Sequence, residues 1–324
     1  MSQPSVLYDA PGPRTRRMTA IVSVVTTLLL VAGAYLLVYR PLAEDGQFTM
    51  ERWGPLIDPS NESFSLLWRR LGDGFAANFT AAAYAIVASL VAGTALAVLR
   101  IQLKELVHRR FTGLASPLSY LLRGLVWVLN VVSRFFLEVF RGVPVVITIL
   151  FVWLGFPELG LSFRNVMWYL VIGLTIYNGV VIGEILRSGM EGLPFGQQEA
   201  ARSIGLSPFQ TTRLVLLPQS YRIMLPALIS QLVVVLKDTS LGFIILYPEI
   251  MRTTTLAVQI LDNPIQLYFV VGLIFVAVNF ALSKLAEYVQ HRLARSRRAP
   301  TAAATRTGAG GTELETEAVV GTTT

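Results

Sequence analysis

Two stretches without a charged side chain, Met18–Tyr39 and Phe75–Leu99, set the terms for what this chain can fold into. The first holds 22 residues, about 33 Å of helix at 1.5 Å per residue, and so reaches across the roughly 30 Å hydrocarbon layer of a bilayer. It also exceeds the apolar core of a signal peptide, about 7–15 residues, and is read as a retained first helix preceded by Arg14, Arg16 and Arg17. The rest of the 324 residues agrees: 53% are hydrophobic and 15% charged, too apolar for a water-soluble domain of this length. The expected fold is all-α and polytopic, with about six transmembrane helices.

Between these runs, Arg40–Asp73 reads as a polar loop rich in turn formers, Gly54-Pro55 and Asp58-Pro59-Ser60-Asn61 among them. Leu121–Phe140, weakly amphipathic and carrying Arg123 and Arg134, is expected to lie along the cytoplasmic interface before turning in. A third span runs from Arg141-Gly142-Val143-Pro144 to Phe156, which is short unless its helix starts upstream near Phe135. Val166–Ile182, Ile223–Tyr247 and Pro264–Leu282 complete the six.

Basic residues orient these spans. With the N-terminus inside, segments 1–17, 100–142, 183–222 and 283–324 hold 3, 7, 4 and 6 of the 27 Lys and Arg residues. The outer segments 40–74, 157–165 and 246–263 hold 4, 1 and 1, and Lys237 is the remaining one. This asymmetry places both termini in the cytoplasm and accounts for the net charge of +7 without a nucleic-acid partner. The chain has no cysteine, and His108 and His291 lie far apart, so a metal centre is not expected.

One polar island interrupts the apolar sequence, Gln198–Pro218, QEAARSIGLSPFQTTRLVLLP. Glu199-Ala200-Ala201 favours helix, Gly205 permits a turn at positive φ, and Ser207-Pro208 offers an N-cap and a first-turn proline for a second helix, ending at Leu217-Pro218. The expected result is an elbow that exposes Glu199, Arg202, Gln210 and Arg213 while Ala200, Ile204, Leu206 and Leu214 anchor it to the bundle.

At these residues the chain resembles the permease subunits of ABC importers, whose cytoplasmic loop carries an EAA motif with this glycine and terminal leucine-proline. Glu138-Val139-Phe140-Arg141-Gly142-Val143-Pro144, Glu184-Ile185-Leu186-Arg187-Ser188-Gly189 and Lys237-Asp238-Thr239-Ser240-Leu241 narrow the resemblance to the polar amino-acid permeases of the histidine, glutamine and glutamate type, over about 75–285. The first span and Tyr8–Arg14 look similar to actinobacterial glutamate permeases. The resemblance implies the ABC type I importer permease fold and a division of the chain. It gives a cytoplasmic segment 1–17, an extra N-terminal helix with its external loop over 18–74, and a transmembrane domain over 75–290 that contains the coupling loop 198–218. The tail, 291–324, is too poor in large apolar residues to order itself. The stretch Gln102–Ser119 departs from the compact family pattern and carries no assigned role.

The resemblance further implies a pore-forming subunit in the cell membrane, with glutamate or a related polar amino acid as substrate. Its partners would be two ABC ATPase subunits, a second permease copy or homologue, and an extracytoplasmic amino-acid-binding protein. Glu199, Ala200, Ala201, Gly205, Leu217 and Pro218 are its coupling residues. No cofactor or enzyme activity is expected of the chain itself: a phosphate-cradling loop needs lysine directly after glycine, whereas Lys104, Lys237 and Lys284 follow Leu, Leu and Ser. ATP is left to the partner.

Lys237 and Asp238 are charges inside a span, where an unpaired charge costs at least about 2.5 kcal/mol, so both should face the bundle interior and find partners. A gate or substrate pathway and plain helix-to-helix pairing both remain open for them. Glu184 and Asn178 are further pathway candidates, set against interfacial anchoring for Glu184 and Arg141 and helix joining for Asn178 and Asn279. The rival reading is a secondary transporter or channel complete in one chain, for which six spans and the Lys-Asp pair also suffice but which has no use for the elbow. A membrane-embedded enzyme lacks a convincing nucleophile–base pair or metal cluster.

Overall fold

The computed structural model describes residues 12–108 and 116–295. The motif at 8–14 is therefore only partly described, and the tail beyond 295 and the centre of the 102–119 stretch lie outside the described residues. The described chain is helical throughout and divides into two units, Met1–Ala77 with Pro248–Ile274 and Asn78–Tyr247 with Phe275–Thr324.

In the first unit α1 (Pro13–Ala34) runs through a wide π-type turn, Tyr35–Tyr39, into α2 (Arg40–Glu44). Together they make a 32-residue apolar rod with no residue buried in the protein. The expected polar loop instead holds α3 (Met50–Ile57), and the following helix, α4 (Phe64–His108), starts well before Phe75. The reason is amphipathicity. α3 buries Gly54, Pro55 and Leu56, and the indole of Trp68 on α4 donates to the Leu56 carbonyl at 3.1 Å. The unit also contains α11 (Ile250–Leu261) and the start of α12 (Pro264–Arg295). Asn263 donates to the Arg52 carbonyl at 2.9 Å and Arg52 to that of Asp262 at 2.7 Å. At Gly74 the backbones of α4 and α11 meet: a Cβ there would lie 2.9 Å from Ile250 Cα.

The second unit is built on α7 (Met167–Glu191), 61% of whose most apolar stretch is buried, against 28% in α4. Glycines let its neighbours reach the backbone. A Cβ at Gly93 of α4 would lie 2.7 Å from Ile182 Cγ2 and 2.9 Å from the Gly179 carbonyl. Ala97, Ile101, Ile182, Leu186 and Leu228 form the apolar core around that contact. α5 (Ser116–Gly142) and α6 (Val145–Glu158) stand where the third span is expected. α5, read as interfacial, is long and apolar enough to cross a membrane by itself, whereas the 14 residues of α6 make only about 21 Å. Pro144, which cannot donate a backbone hydrogen bond, separates the two. Among the described residues, six helices are long and apolar enough to span, at 13–44, 64–107, 117–142, 167–191, 208–245 and 264–290.

After α7 come α8 (Phe195–Ser203), α9 (Pro208–Thr211), a second π-type turn Thr212–Leu216, α10 (Leu217–Asp238) and a 3₁₀ turn, Thr239–Ile245.

Candidate functional site

The polar island folds as the glycine and the cap dictate. α8 closes with Leu206 N–H on the Ala201 carbonyl (3.2 Å) and Gly205 N–H on that of Arg202 (3.0 Å), the pair of bonds that ends a helix when the next residue turns left-handed. Gly205 supplies that turn at φ +85°, and nothing lies within 4 Å of where its Cβ would be, so backbone conformation alone selects glycine. Ser207 then caps α9 reciprocally: its hydroxyl accepts from Gln210 N–H at 3.3 Å, and the Gln210 amide oxygen accepts from Ser207 N–H at 2.9 Å.

Glu199, Arg202, Gln210 and Arg213 are exposed, as the sequence predicts. The anchors are different. Ala200 is exposed, Ile204 and Leu214 are 78% and 60% exposed, and only Leu206 is half-buried. Ala201, Thr211, Thr212 and Leu216 hold the elbow down instead. The break at Gly205 and the π-type turn after Thr211 reset the helical phase, so a uniform periodicity over 198–218 picks the wrong face. Of the other coupling candidates, Leu217 is half-buried and Pro218 exposed. Ile204 and Leu214 instead give the elbow an apolar outer surface.

The brace under the elbow comes from the end of α4. Glu105 accepts from Gln198 at 2.7 Å and from Arg202, and Gln102 donates to Thr212 at 2.8 Å. Both belong to the 102–119 stretch that sequence reasoning leaves without a role, and an acid and an amide three residues apart on a continuing helix are the only signal they carry. A 770 Å³ cavity lies between this brace and the elbow, lined by Leu106, Leu193, Phe195 and Phe209 among others.

Within the bundle the four pathway candidates separate. Asn178, fully buried on α7, donates to its own Leu174 carbonyl at 3.1 Å and accepts from Gln231 of α10 at 2.7 Å, with the Asp238 carboxylate close by. Gln231, missed from the sequence, therefore completes an Asn–Gln–Asp cluster between the two helices. Lys237 does not join it: its side chain is exposed and forms no ion pair with a described residue. Consecutive residues on a helix point about 100° apart, so the expectation that both charges turn inward fails for Lys237. Glu184 belongs elsewhere again. It binds Arg187 in bidentate fashion on a face of α7 about 120° from Asn178, and Arg187 also reaches Glu191, which takes Lys104 at 2.8 Å. Asn279 back-bonds its own helix at the Phe275 carbonyl, 2.7 Å away.

Residues 115–295, which include the elbow and the helices on either side of it, match the family model of the binding-protein-dependent transport system inner membrane component. The chain belongs to this family. Relatives include the glutamate transport system permease protein GluD of Corynebacterium glutamicum, 36% identical over 258 residues, 79% of this chain and 85% of that one. The probable glutamine ABC transporter permease protein GlnP of Bacillus subtilis is 33% identical over 172 residues, 51% of this chain and 77% of its own. Among solved structures, an amino acid ABC transporter with histidines superposes with a TM-score of 0.56 at 21% identity, over 71% of this chain and 97% of that one. The inward-facing MetNI methionine ABC transporter gives 0.51 at 17%, over 72% and 99%. The fold is that of ABC transporter permeases of type I, and the chain is a membrane-embedded transport component.

Proposed function

We propose that this chain forms the translocation pathway of an ATP-driven importer of polar amino acids, with glutamate or a close analogue as substrate, and couples that pathway to separate ATPase subunits through the elbow. The observation that carries the reading is the elbow itself: a rigid turn at Gly205, braced from below by Glu105 and Gln102, with Glu199, Ala200, Ile204 and Leu214 facing outward and left for a partner. The kinship with glutamate and glutamine permeases supports the substrate class. The lysine context, with none following a glycine, supports leaving ATP to the partner.

In this reading the ATPase pair closes on ATP and displaces the elbow, and α9 and α10 carry that displacement to the Asn178–Gln231–Asp238 cluster beside the pathway. The free energy is the partner's; the chain biases an equilibrium between two arrangements of its helices. A second permease copy or homologue completes the pore, and an extracytoplasmic binding protein delivers substrate. The distribution of basic residues supports a cytoplasmic elbow and cytoplasmic termini.

The test is uptake of labelled glutamate into proteoliposomes holding this chain with its ATPase and binding-protein partners. Uptake is expected only with internal-facing ATP and binding protein present, with competition by glutamine or aspartate ranking the substrates. Transport by the chain alone, driven by an ion gradient and indifferent to ATP, would overturn the reading in favour of a secondary carrier.

A further inference from the structure

α5 carries a polar stripe that neither the elbow nor the Asn178 cluster uses. Arg123, Asn130, Arg134 and Arg141 are spaced 7, 4 and 7 residues apart, which keeps them within about 40° of one another on an α-helix. The opposite face presents Leu121, Leu125, Val128 and Val132, all exposed. The stripe looks onto α4 and α7 across a 590 Å³ crevice lined by Arg100, Arg134, Arg141, Arg187, Glu138 and Glu184, next to a smaller one of 190 Å³ at Lys104, Asn130 and Glu191.

The charges there do not balance. Arg187 is held by Glu184 and Glu191, and Lys104 by Glu191. Arg100, Arg134 and Arg141 form no ion pair with any described residue, although Arg100 lies within electrostatic reach of Arg134 and Arg187, and Glu184 within reach of Arg100 and Arg141. Cations gathered at the end of apolar spans need a counter-anion, because desolvation and mutual repulsion both disfavour them. The crevice walls between the charges are apolar, Val131, Leu137 and Val180, and the crevice is bordered by Phe135, which is 70% exposed on the flank of α5. An anion with a hydrocarbon tail meets both requirements at once.

We propose that this crevice binds the phosphate headgroup of an anionic phospholipid, with Arg100, Arg134 and Arg141 as counter-charges and the acyl chains lying along the exposed face of α5 beside Phe135. Basic pockets between transmembrane helices are where such headgroups bind. The site lies on the opposite side of α7 from Gln231, and its occupancy is independent of which solute is carried.

Native mass spectrometry on the full-length chain, released from membranes or nanodiscs of mixed phosphatidylglycerol and phosphatidylcholine, counts the lipids that stay bound. Phosphatidylglycerol is expected to be retained in excess over its share of the mixture. Arg134→Gln with Arg141→Gln should abolish the excess, each cation contributing on the order of fivefold. Arg134→Lys with Arg141→Lys should keep it, and Lys284→Gln, on α12 away from the crevice, should leave it unchanged. Wild-type protein that shows no preference overturns the proposal without any variant. So does a double Gln variant that retains the preference, or displacement of the lipid by millimolar inorganic phosphate or free glutamate, either of which would make the crevice a site for soluble anions.

Discussion

Gly205 is a residue whose substitution has a cost that can be assigned to one cause. Its Cβ space is empty and its φ is +85°, so Gly205→Val meets no neighbour and suffers only the left-handed backbone penalty, about 1–2 kcal/mol and larger for a β-branched side chain. The chain should insert and melt almost as wild type while co-purifying less well with its ATPase, or hydrolysing ATP without transport. Wild-type co-purification together with wild-type coupling would refute the elbow as the transmission point. Asn178 is the opposite case, a buried amide tied to Gln231 beside Asp238. Asn178→Leu leaves the half-buried Gln231 amide without its acceptor and should lower stability by about 1–3 kcal/mol. A melting temperature in detergent that does not move would show that the cluster contributes little to holding α7 against α10.

Elements differ in how plainly the sequence announces them. The second and fourth spans and the two-helix elbow follow from uncharged runs, Gly205 and Ser207-Pro208, because those signals are local. The outer reach of α4 does not: Arg69, Arg70 and Asp73 read as loop, and the helix persists there because Leu67 and Leu71 are buried under it. The face of the elbow is also hidden, since an extra residue in the turn after Thr211 shifts every later position, and only the fold reveals that Ala201, Thr212 and Leu216 point down. The brace from α4 is legible only once α4 is known to continue past Leu99. That brace can be measured. Glu105→Ala removes the acceptor shared by Gln198 and Arg202, a partly exposed contact contributing up to about 1 kcal/mol, so global stability should barely change while amide exchange over 195–211 quickens. Unaltered exchange in that segment would mean that the elbow is held by its apolar anchors alone.

For the assembled transporter, Lys237 is the telling residue. It stands exposed on α10 without an ion pair among the described residues, so Lys237→Met should not destabilise the single chain. In the proposed complex the same change should lower uptake or weaken pairing with a second permease, and uptake at wild-type rate from a complex of wild-type yield would show the charge to be dispensable. The link between elbow and bundle has a geometric consequence of its own. In the turn Thr212–Leu216 the N–H of Leu217 bonds the carbonyl of Thr212, five residues back instead of four, so one residue is stored there as slack. Deleting Leu214 takes up that slack and should leave Gln231 facing Asn178, with a melting temperature near wild type, whereas deleting Ala227 turns everything after it by about 100° and should collapse the contact. The same slack is a screw thread: if a push on the elbow irons the turn into ordinary helix, the stored residue can leave only as rotation, and a straight thrust at Gly205 arrives at Asp238 as a twist of α10.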